Sequence, residues 1–146
     1  MTVVRHDPRS AATTPTASYR VFLRHLRGHL DEALGTATPS FDALAAYVCG
    51  YDAGTGGIAL AGFVEWLALQ TGRYAARWPE LIVELAFAGI APPMPLSADE
   101  DAIAIAATFD WVDRFLAETG EGGQRDVFRR FESWNGERRA RRITNE

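Results

Sequence analysis

A chain of 146 residues, 47% of them hydrophobic, is long enough to bury one core and short for two, so a single domain is expected. Its one cysteine, Cys49, excludes an internal disulfide framework, and no run approaches the roughly 18 uninterrupted apolar residues of a membrane span. The formal charge of −4 conceals a segregation: residues 1–30 hold five arginines against Asp7, residues 31–121 hold fourteen acids against Arg73, Arg77 and Arg114, and residues 122–146 hold seven arginines against four acids.

Residues 1–16 combine two prolines with Ser and Thr and show no helical period, so they read as a disordered arm. From about Ser18 the pattern turns helical. Tyr19, Phe22, Leu23, Leu26, Leu30 and Leu34 recur at spacings of three and four, which predicts one amphipathic helix closed by Gly35. His25 and His29 lie one turn apart on it, the spacing of a two-histidine metal pair. No glutamate follows His25 as a zinc protease motif needs, so they are weak metal candidates beside the plainer reading of surface histidines. A second helix starts at Ser40, a suitable N-cap, and carries Phe41, Leu44, Ala45, Val48 and Cys49.

Gly50-Tyr51-Asp52-Ala53-Gly54-Thr55-Gly56-Gly57 invites a nucleotide reading. A P-loop requires Lys-Ser/Thr after its last glycine, and Gly54-x-Gly56-x-x-Ala59 resembles a dinucleotide fingerprint only if a buried strand precedes it. The preceding residues are helix-periodic, so the glycines read as a helix end and a link. A third helix then covers Ile58 to Thr71, rich enough in apolar residues to be central. A fourth begins at Trp78-Pro79-Glu80, and Gly89–Pro95, with three prolines, connects it onward. Ser97-Ala98-Asp99-Glu100 is a capping box opening a fifth helix with Ile105, Phe109, Val112 and Leu116 in line. A sixth places Val127, Phe128, Phe131 and Trp134 inward and ends at Gly136. The organisation expected is an arm at 1–16, an all-α bundle of about five to six helices at 17–136, and a charged Arg-rich tail at 137–146.

The blocks Gly50-Tyr51, Gly62-Phe63-Val64-Glu65-Trp66-Leu67 and Trp78-Pro79-Glu80-Leu81-Ile82-Val83-Glu84-Leu85-Ala86-Phe87 resemble the GY, GFxxWL and WxxLxxxLAF blocks of a group of small bacterial helical proteins. The likeness covers about residues 38–134, and Leu34–Pro39 departs from the R-P-x-M-Y-x-G segment that often precedes the second helix there. It implies an all-α fold, attaches no activity, and suggests that Gly50, Tyr51, Gly62, Phe63, Trp66 and Trp78 pack as one system.

Two functional readings follow. In the first, the acidic body covers a basic protein partner, as an immunity-type inhibitor does, with Asp99, Asp101, Asp110 and Asp113 of the fifth helix as the contact surface. In the second, a small enzyme or ligand-binding bundle has a pocket of Tyr51, Trp66 and Trp78 with Glu65 and Glu84 turned inward as acid/base groups. The first is preferred: no catalytic constellation stands out, and no cofactor is called for. A terminal Arg run without an aromatic companion reads as a solvated tail, so nucleic acid is not expected. Nor is a membrane, and the location expected is cytoplasmic.

Overall fold

The computed structural model describes residues 15–75, 77–120 and 123–145. Among them the chain is all-helical and contains no strand. It has seven helices where five to six were expected: α1 (Pro15–Gly28), α2 (Leu30–Leu34), α3 (Phe41–Gly54), α4 (Phe63–Thr71), α5 (Trp78–Ala86), α6 (Ala98–Thr119) and α7 (Gln124–Thr144). The expected arm lies outside the described residues apart from its last two positions, which open α1.

The extra helix arises because the first predicted helix breaks. After Gly28, a poor helix former, His29 leaves helical geometry at φ −134° and ψ 35°, and α2 restarts the chain until Gly35 closes it in the left-handed region. α3 is held at its start by two carboxylate or hydroxyl acceptors. Ser40 Oγ accepts from the Ala43 N–H at 3.1 Å, and Asp101 Oδ1, from α6, accepts from the Phe41 N–H at 2.8 Å. The glycine run is a helix end followed by a turn: α3 precedes it, Gly56 and Gly57 both take positive φ, and Asp52 Oδ1 accepts from the Leu60 N–H at 3.3 Å.

α4 is shorter than the periodicity suggests. Gly62 sits at φ 85°, which no helix interior accommodates, so residues 58–61 form turns and only Phe63 onward is helical. At the other extreme, Gly136 does not stop α7. A mid-helix glycine costs about 1 kcal/mol relative to alanine, and the good helix formers around it carry the helix on to Thr144.

α6 is the central element, in place of the third predicted helix. α1, α3, α4 and α5 all pack on it, and it buries Ala104, Thr108, Phe109, Val112, Phe115 and Leu116. α4 bridges α6 to α7. At its heart Phe63 lies 5.2 Å from Phe115, 5.7 Å from Trp78 and 6.3 Å from Trp66, ring centre to ring centre. These rings with Leu44, Leu67, Ile82 and Val112 form one continuous core.

Candidate functional site

The acids of α6 are largely engaged within the fold. Asp113 accepts two bonds from Arg20 of α1, at 2.9 and 3.3 Å, and Asp110 accepts one from Arg27 at 2.9 Å. Arg27 also lies over the Phe109 ring at 5.4 Å. Asp101 caps α3, and only Asp99 is exposed without a partner among the described residues. Two arginines of α1 thus pair with two acids of α6, and three of the four carboxylates expected at a partner surface are engaged in contacts between helices.

The expected pocket does not assemble. Trp66 is 1% exposed and Trp78 7%, both inside the core, while Tyr51 stacks on Phe22 of α1 at 3.6 Å, away from them. Gly50 faces open space, so it is not part of a close helix approach. Glu84 pairs with Arg73 at 3.2 Å, at the surface. Glu65 is half-buried in the first turn of α4. His25 and His29 are exposed and stack at 4.4 Å, His29 Nδ1 lying 3.1 Å from the His25 carbonyl oxygen. No third ligand joins them: among the described residues no group of three or more His, Cys, Asp or Glu is gathered for a metal.

A polar contact with no signal in the sequence joins the buried Trp66 to Glu118, itself exposed at the surface. Its Oε2 accepts from the Trp66 indole N–H at 3.1 Å, and its Oε1 accepts from Arg114 at 3.2 Å. Arg114 in turn covers the Trp111 ring at 5.0 Å. This satisfies the one polar atom of a buried Trp and is structural.

Two apolar grooves open on the surface. One, about 700 Å³, runs between α1, α2 and α6 over Leu30, Pro39, Ile105 and Phe109; its charges, Arg27 and Asp101, are already paired. The other, about 640 Å³, lies between α3, α5 and the connection at residues 91–94. Phe41, Ala45 and Val83 form its floor, Pro92 and Met94 one wall, and Asp42, Glu80 and Glu84 with Arg77 its rim. Asp42 and Glu80 are exposed and hold no partner among the described residues. This second groove combines apolar surface with unspent negative charge. Its members come from positions 41–46, 77–84 and 91–94, so no local motif announces it.

Compared with protein-family models, with curated proteins and with solved structures, the chain matches none. Among the described residues no helix is long and apolar enough to cross a membrane.

Proposed function

We propose that this chain is a protein-binding module that receives a basic segment of its partner in the groove between α3, α5 and residues 91–94. The observation that carries the reading is the rim. Among the described residues Asp42 and Glu80 are carboxylates with no intramolecular partner beside an apolar floor, whereas Asp110 and Asp113 of α6 are held by Arg27 and Arg20 of α1. A partner helix or loop with one apolar side and arginine or lysine beside it would bury its apolar side chains on Phe41, Ala45 and Val83 and place its cations at the rim. Apolar anchors would supply most of the affinity, and the charges would speed encounter and reject acidic competitors. An inhibitor of the immunity type, occluding a basic surface of the protein it neutralises, is the form of complex that suits a chain of this size. The resemblance to small bacterial helical proteins is compatible with it and names no partner.

The test is a binding isotherm with the partner recovered by affinity capture, comparing the wild-type chain with the D42R/E80R double variant. Both side chains are exposed, and each lies in the first turn of its helix, so the variant should keep its fold with a modest loss of stability that thermal denaturation reads separately from binding. The proposal expects its affinity to drop by about tenfold or more at low salt. Equal affinity for the two proteins would remove the groove from the interface.

A further inference from the structure

The end of α7 is a separate surface, and the structure supplies what the Arg run lacked in sequence. Phe131, Trp134, Arg138, Arg141 and Asn145 recur at spacings of three and four, so the line that starts as an aromatic stripe against the bundle continues as a cationic stripe past it. The last buried residue of the helix is Val127. Tyr74, from the connection after α4, packs on Phe131 at 5.6 Å, Phe131 on Trp134 at 5.7 Å, and the Arg138 guanidinium covers Trp134 at 5.5 Å. An open groove of about 600 Å³ lies alongside, lined by Trp134, Arg138, Arg141 and Arg142 with Gly72 and one acid, Glu137. Arg139, Arg141 and Arg142 are exposed without a carboxylate partner among the described residues, in contrast to Arg129 and Arg130, which share Asp126.

We infer that this groove binds single-stranded nucleic acid, with Arg138, Arg141 and Arg142 on successive phosphates and a base stacked on Trp134, the ring that lines it. Tyr74 and Phe131, tilted by 40° and 42° along the row, support Trp134, and its ring beside guanidinium groups that hold no carboxylate among the described residues serves both halves of a nucleotide at once. An acidic peptide would use the cations and leave the rings without a role. The groove shares no residue with the one between α3 and α5, so each can be tested without the other.

The experiment is fluorescence anisotropy of the full-length chain with a labelled oligothymidylate of about 20 nucleotides, titrated across salt, alongside intrinsic Trp fluorescence. The wild type should bind at low salt with quenching of Trp emission. The R141A/R142A variant, altered beyond the last buried residue, should bind at least about tenfold more weakly and lose about 1.4 from the slope of log affinity against log salt. W134A should also weaken binding by about tenfold, through lost stacking. Absence of binding at low salt, or equal affinity of R141A/R142A, would overturn the proposal. So would equal competition by polyglutamate or by anionic vesicles, which would show a site for negative charge alone, and so would tighter binding of a duplex of the same length.

Discussion

Tyr19 is the one described residue whose buried polar side-chain atom has no hydrogen-bond partner. Burial, with the Asp52 carboxylate adding to it, holds its phenol far above the ordinary range. Y19F should therefore raise stability by about 1 kcal/mol in urea denaturation, because it removes an unpaid desolvation penalty and keeps the ring contacts with Phe22 and Tyr51. Asp52 is pushed upward by burial, against the pull of the Leu60 N–H that it accepts. An acid held above its unfolded value binds its proton more tightly when folded. Its contribution is thus fully present at pH below the ordinary aspartate range and is lost as pH rises through the raised value. D52N, which keeps the acceptor for Leu60, should flatten that part of the stability profile and raise the melting temperature at neutral pH. A lower melting temperature in D52N would mean that the charge itself is needed. Neither residue was legible as special, since both effects depend on what α1 and the turn at 58–61 bring to the end of α3.

At the level of elements, caps and periodicity were readable where the signals are local. The Ser97–Glu100 capping box and the Ser40 cap stand where the residue types place them. Boundaries governed by glycine were not, because glycine permits both continuation and arrest. Gly62 delays the start of α4 to Phe63, Gly28 is followed by a break, and Gly136 is passed over. The last point is open to a direct check. A Cβ at position 136 would meet nothing within 4 Å, so G136A should gain about 0.5–1 kcal/mol and add helical circular dichroism. A tail beginning at Gly136 would show neither change. The clip between α1 and α6 makes a further prediction: D110R/D113R should lose about 1–2 kcal/mol, as two half-exposed ion pairs become like-charge contacts, while partner affinity is unchanged.

For the whole molecule, the charge segregation visible in the sequence resolves unequally. The basic first helix commits two arginines to α6, and among the described residues the basic end of α7 pairs with no acid beyond Asp126. Composition revealed the three blocks but could not say which pair would meet, because that depends on how the helices pack. The same holds for the groove at the centre of this account, whose floor and rim come from three separate stretches of chain. Hydrogen–deuterium exchange of the chain with and without its captured partner tests the account most directly. Slowed exchange concentrated in residues 41–46, 79–84 and 91–94 is the predicted result. Slowed exchange confined to the α6 face around Asp99, Asp110 and Asp113, with the groove unchanged, would contradict it.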